Sequence, residues 1–158
     1  MIWVIIGILC LAVDRLSKIF VSNNFMLGQS SPVINRVFHI TYHLNDGAAF
    51  SILRGKTVLL TIFTVIIIIG ILVFIIKKKP KNNVLLMSLT LILSGAVGNL
   101  IDRIGSGQVT DFLDFRLINF PVFNFADCFV VVGGILLVIY LIKFTDSDGK
   151  EKDGTKKL

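Results

Sequence analysis

Residues 57–76 read TVLLTIFTVIIIIGILVFII and run directly into Lys77, Lys78, Lys79, Pro80 and Lys81. This stretch carries no charge, and about 20 such residues in a helix span the hydrocarbon core of a bilayer. The lysines that follow mark a cytoplasmic loop, because basic residues collect on that side of a membrane. Working outward, three further apolar runs reach the same length: 2–21, 84–104 and 125–144. The first is interrupted near its end by Asp14, Arg15 and Lys18. It lacks the basic leader and small-residue cleavage site of a removable signal peptide, so it reads as a retained helix.

Composition agrees. The chain of 158 residues is 54% hydrophobic and only 16% charged, against about 25% charged in soluble domains. The net charge of +6 comes from lysines and arginines clustered outside the apolar runs. That suits membrane topology and not the basic stripe of a nucleic-acid-binding face. Cys10 and Cys128 both sit in apolar stretches without metal-ligand spacing, and read as small buried hydrophobes.

The expected fold is therefore an all-α integral membrane protein with four transmembrane helices and both termini in the cytoplasm. Residues 1–144 form the membrane domain. Residues 145–158 are polar, charged and without apolar periodicity, and are expected to be a disordered cytoplasmic tail. In the first outer connection, 37–44 is β-branched and aromatic and predicts a strand. Asn45-Asp46-Gly47 predicts a turn, and 48–53 a short surface helix. The second outer connection, 105–124, is aromatic and interface-seeking.

Six of the ten acidic residues lie outside the tail, and all six are aspartates at the outer side of this topology: Asp14, Asp46, Asp102, Asp111, Asp114 and Asp127. Carboxylates beside lipid are costly and mark function by default. Asp14 and Lys18 are i, i+4 on one helix face. Asn99, Asp102 and Arg103 share the outer end of the third run, and Asn124 and Asp127 open the fourth. Asp111 lies between. Two carboxylates brought together share one proton and split acid and base roles, which makes Asp111 and Asp127 a candidate dyad.

Each residue also has a plainer reading. Asp14 with Lys18 reads equally as a neutralised pair that lets the first helix pack. Asp102 with Arg103 reads as a structural ion pair holding the 105–124 loop. Asp46 and Asp114 read as turn or surface groups. Asn45 is either a turn former or an amide donor to a substrate carbonyl. Ser94 and Gly98 read as helix packing. His39 and His43, four apart, would share one side of a strand, but a metal site needs a third ligand and none stands out. Neither a metal nor a cofactor is expected. A proton- or ion-coupled transporter is the rival function, though it requires a polar path through the whole membrane, and the second run has none. A structural scaffold leaves the clustered aspartates without a purpose.

Five segments in order carry a resemblance: Asp14-Arg15-Leu16-Ser17-Lys18, Asn45-Asp46-Gly47-Ala48-Ala49-Phe50, Gly98-Asn99-Leu100-Ile101-Asp102-Arg103, Val109-Thr110-Asp111-Phe112 and Phe123-Asn124-Phe125-Ala126-Asp127. Over about 1–144 the chain resembles the bacterial lipoprotein signal peptidases, or type II signal peptidases. The resemblance implies an intramembrane aspartic endopeptidase of the bacterial plasma membrane. It would cut prolipoproteins before a cysteine carrying diacylglyceryl and be inhibited by the cyclic peptide globomycin. It implies catalysis by Asp111 and Asp127, with Asn45, Gly47, Asn99, Arg103, Asn124 and Ala126 lining the substrate site. Asp14, Lys18 and Asp102 would support it. It also implies a small extracytoplasmic β-sheet cradle in the first outer loop. Lipidated prolipoproteins and membrane lipids are the expected partners, with no nucleic acid, and the expected state is a monomer.

Overall fold

The computed structural model describes residues 1–47, 53–118 and 120–153, with backbone alone for 144–153. Four helices follow the four apolar runs: α1 (Ile2–Asn24), α2 (Thr57–Lys78), α3 (Asn83–Ser106) and α4 (Phe125–Asp153). Three of them, α2, α3 and α4 up to Lys143, are long and apolar enough to cross a membrane. α1 has the length, 23 residues, but carries three charges. It turns Asp14 and Lys18 inward, where both are buried, while Ile5, Ile8, Leu9, Leu16 and Phe20 stay exposed. The helix ends have local causes. The Asn82 side chain accepts from the N–H groups of Val84 and Leu85 at 2.9 and 3.2 Å and so opens α3. Gly107, at φ 75°, closes it in the left-handed conformation that glycine adopts most cheaply.

α3 is the hub and touches the other three helices, and α2, which buries no residue, packs against it. In lipid the bundle must be held by close packing, because apolar burial distinguishes little between helix and acyl chain. Small residues provide that contact. The Ser88 hydroxyl donates to the Gly133 carbonyl at 2.8 Å. A Cβ at Gly95 would lie 2.2 Å from the Ala126 carbonyl oxygen, and one at Gly98 would lie 2.6 Å from Asp14 Oδ2. Ser94 belongs to the same small-residue seam, donating to the Gly7 carbonyl of α1 at 3.2 Å.

A three-stranded antiparallel sheet, order β1-β2-β3, lies across one end of the bundle. Its strands are β1 (Ser30–Ile34), β2 (Phe38–Asn45) and β3 (Val109–Phe115), followed by a 3-10 turn at Arg116–Ile118. The strand expected at 37–44 is β2. The sheet is not confined to the connection between α1 and α2, however, because β3 lies between α3 and α4. β3 is a strand through its pairing with β2, a partner more than sixty residues away. The sheet has two faces. Phe38, Ile40, Leu113 and Phe112 pack with Val21 and Phe25 at the end of α1 and with Phe125 at the start of α4. On the other face Ser30, His39, Thr41, Asp114 and Arg116 form a hydrogen-bonded ladder. Asp114 is thus a largely buried member of that ladder and not a free surface group.

Between Ile40 and His43 the pairing of β2 with β3 slips by one residue. Three steps on β2 then match two on β3, the mark of a β-bulge. The bulge overturns the expectation that His39 and His43 share a side. His39 pairs with Asp114 and His43 with Asp111, which lie three apart on β3 and so face opposite ways. The surface helix expected at 48–53 falls almost wholly outside the described residues.

Candidate active site

Asp111 and Asp127 come together where β3 meets the first turn of α4. The chain returns from β3 through Phe123, whose backbone bonds to Phe112 and Leu113 at 2.8–3.1 Å. That return sets Asn124 beside Asp111. Asn124 then starts α4: its side-chain oxygen accepts from the Asp127 N–H at 3.0 Å, and Asp127 Oδ2 accepts from the Asn124 N–H at 3.2 Å. This is a reciprocal capping box, and it places the second aspartate on a rigid helix start.

Each of the four carboxylate oxygens receives a neutral donor. Asp111 accepts from the amides of Asn45 (2.9 Å) and Asn124 (2.6 Å). Asp127 accepts from the amide of Asn99 (2.8 Å) and the Asn124 backbone. Asn45 is the turn former expected, and its amide has a further partner in Asp111. Its amide nitrogen holds Asp111, and its oxygen accepts from the Gly47 N–H at 2.9 Å, shaping the turn. Buried Gly47 in turn offers its carbonyl to Arg103 at 3.2 Å. Asp111 is 1% exposed. Burial, and next the charge of Asp127, push its carboxyl up from an ordinary 3.8 to about 7, against the pull of the Asn45 and Asn124 amides.

Behind the dyad lies a second, differently built cluster. Lys18 Nζ reaches Asp14 Oδ2 at 3.0 Å, Asp102 Oδ2 at 2.9 Å and Asn99 Oδ1 at 2.9 Å, using all three of its donors. Asp14 Oδ1 accepts from the Ala126 N–H at 3.0 Å, so a carboxylate of α1 caps α4 one residue before Asp127. Ala126 itself is fully buried between Gly95 and Gly98. The expected Asp102–Arg103 pair is not formed. Neighbouring residues on a helix point apart, and Asp102 pairs instead with Lys18 and with Arg15 of α1. Arg103 lies close enough for its charge to act on Asp127, Asp111 and Asp102. The Asp46 carboxylate pairs with exposed Arg54 at 3.3 Å.

The dyad opens into a cavity of about 710 Å³, with Asn45, Asn99 and Arg103 on its polar side and Phe120, Val130 and Val131 on its apolar side. His43 also lines it, directly across the strand pair from Asp111. Residue spacing alone does not reveal this, because only the bulge turns His43 to that face. Arg15 was likewise missed as the partner of Asp102, a contact that depends on how α1 and α3 dock. Among the described residues no group of three His, Cys, Asp or Glu side chains is placed to hold a metal ion.

A family profile described as signal peptidase (SPase) II matches residues 6–143. The chain belongs to the signal peptidase II family. Family membership and the apolar helices make it a membrane-embedded peptidase. It is 44% identical over 138 residues to a lipoprotein signal peptidase of Brevibacillus brevis, covering 85% of this chain and 91% of that one. The corresponding protein of Halothermothrix orenii is 44% identical over 141 residues, covering 89% and 94%. A solved structure titled as a bacterial membrane enzyme superposes with a TM-score of 0.86 at 36% identity, covering 92% of this chain and 90% of the other.

Proposed function

We propose that this protein is an intramembrane aspartic endopeptidase, with Asp111 and Asp127 as its catalytic pair. Its reaction would remove the signal peptide from diacylglyceryl-modified prolipoproteins by cutting before the lipidated cysteine. The observation that carries this reading is a buried and a half-buried carboxylate, Asp111 and Asp127, whose hydrogen bonds among the described residues come from neutral donors, at the mouth of a largely apolar cavity. In this reading all four helices span a bacterial plasma membrane, α1 crossing with its charges turned inward. Both termini are cytoplasmic, beside the lysines at 77–81, and the sheet and dyad face outward.

The chemistry follows from the environment of the pair. Two carboxylates this closely coupled hold one proton between them near neutrality. Burial favours the neutral form of Asp111, while Asp127 sits at the positive end of α4, where a charge is stabilised. Asp127 takes a proton from the attacking water as Asp111 donates to the scissile carbonyl. The tetrahedral diol then collapses: the C–N bond breaks, the proton gained by Asp127 passes to the leaving amine, and one diol hydroxyl returns a proton to Asp111, restoring the pair. The apolar wall of Phe120, Val130 and Val131 suits the signal helix and acyl chains, each buried CH₂ contributing about 0.8 kcal/mol.

The direct test incubates purified protein with a diacylglyceryl-modified precursor and its unlipidated form. Cleavage of the lipidated precursor alone, lost in Asp111→Asn and in Asp127→Asn, is expected. Failure to cut either precursor would overturn the substrate reading. Cleavage persisting in either variant would overturn the catalytic assignment.

A further inference from the structure

The far end of the sheet carries apolar groups that neither the fold nor the proposed chemistry uses. Val33 and Ile34 end β1, and Leu117 and Ile118 form the 3-10 turn after β3; all four are 56–69% exposed. They share one end of the sheet, since Phe38 pairs with Phe115 and the Arg116 N–H bonds the Val37 carbonyl at 3.0 Å. Between them sits Arg36, exposed, at φ 62°. An arginine in the left-handed region is strained where glycine or asparagine would be relaxed. Strain of that kind is kept where the side chain is needed. Among the described residues Arg36 has no carboxylate partner.

We propose that this tip is an interfacial membrane anchor: Val33, Ile34, Leu117 and Ile118 enter the acyl region of the leaflet beneath the sheet, and Arg36 holds a lipid phosphate. Three observations select lipid over another protein. The sheet rests its apolar face on the ends of α1 and α4 and turns its polar ladder away, so its overhanging end faces the bilayer in which those helices sit. A cation beside four aliphatic side chains matches a phosphate above acyl chains, the pattern of interfacial anchors. Four partly exposed side chains also fall well short of the ~800 Å² per partner that a stable protein interface buries. The anchor would fix the depth of β2 and β3, and with them Asn45 and Asp111, relative to the membrane. It depends on membrane embedding and not on the peptide chemistry.

The test places a single tryptophan at Ile34 or Leu117 in a Trp3→Phe background, reconstituted in vesicles of phosphatidylglycerol and phosphatidylcholine. Lipids brominated on the upper acyl chain should quench most of the emission, which should also be blue-shifted, and aqueous acrylamide should quench little. Arg36→Gly relaxes the turn, so the fold is kept. It should reduce bromolipid quenching at both positions, whereas Arg36→Lys should retain it. Water-like emission with full acrylamide quenching would overturn the anchor. Shielding from both quenchers that disappears on dilution of protein in lipid would also overturn it, in favour of a contact between copies. Unchanged quenching in Arg36→Gly would overturn the role of Arg36.

Discussion

Two carboxylate clusters meet at Asn99 of α3, and they are built on opposite principles. Asp14 and Asp102 are met by cations, Lys18 between them and Arg15 beyond. Asp111 and Asp127 are met by amides and backbone N–H groups, with Arg103 nearby but bonded to Gly47. A buried carboxylate tied to a cation is fixed in its charged state, and removing the cation strands it. A carboxylate held by neutral donors is fixed in position while its proton stays free to move. The first arrangement builds structure; the second suits catalysis. Asn99 joins them, accepting from Lys18 and donating to Asp127.

The largest effect should come from the amide-held pair. Asp111→Asn and Asp127→Asn should each lower the cleavage rate at least about 10³-fold, with the double variant no worse, because the two act as a unit. Asparagine suits a helix cap, so α4 should survive in Asp127→Asn, and thermal unfolding in detergent should show little change. A double variant much slower than either single one would mean that the carboxylates act independently.

The cation-held cluster should answer in the opposite currency. Lys18→Met leaves Asp14 and Asp102 buried without their shared partner and should destabilise the protein by about 3–5 kcal/mol, read as a lower unfolding temperature. A variant of wild-type stability with no activity would place Lys18 on the chemical side of the comparison.

Asn45→Asp swaps a donor for an acceptor and adds a charge next to Asp111. The rate should fall roughly 10²-fold, with melting nearly unchanged. The pH profile sharpens the point. If Asp111 must hold a proton, the rate falls tenfold per unit as pH rises beyond about 7. The Asn45 amide favours the charged form of Asp111, so Asn45→Ala should raise that carboxyl further and move the alkaline limb to higher pH. A limb that stays in place would separate Asn45 from the titration. Smallest of all, Arg116→Gln removes a half-exposed partner of Asp114 and should cost within about 1 kcal/mol in the same unfolding measurement.

The helices were legible because each apolar run is decided by its own composition, and the starts at 57 and 125 coincide with the helix starts observed. The clustered aspartates were legible because burial beside lipid makes every carboxylate conspicuous. What sequence could not supply is whatever depends on partners distant in the chain. In Val109–Phe115 two aspartates interrupt the apolar residues, and only pairing with β2 makes a strand of it. Asp102 has an arginine as its neighbour, yet its real partners are 84 and 87 positions away. The capping box of Asn124 and Asp127 was visible as i, i+3 spacing, but the Asp14 cap on Ala126 came only with the docking of α1.

The bulge between Ile40 and His43 also says where this chain tolerates a change of length. The turn joining β1 to β2 precedes the bulge, and a residue gained or lost there leaves every later position of β2 facing as before. Between the bulge and Asn45 the strand counts in twos. One residue inserted or deleted there would turn the Asn45 amide from Asp111 toward the opposite side of the sheet. The same edit thus keeps the facing of Asn45 when made in the turn and reverses it beyond the bulge, a boundary that deletion scanning along 35–45 would locate.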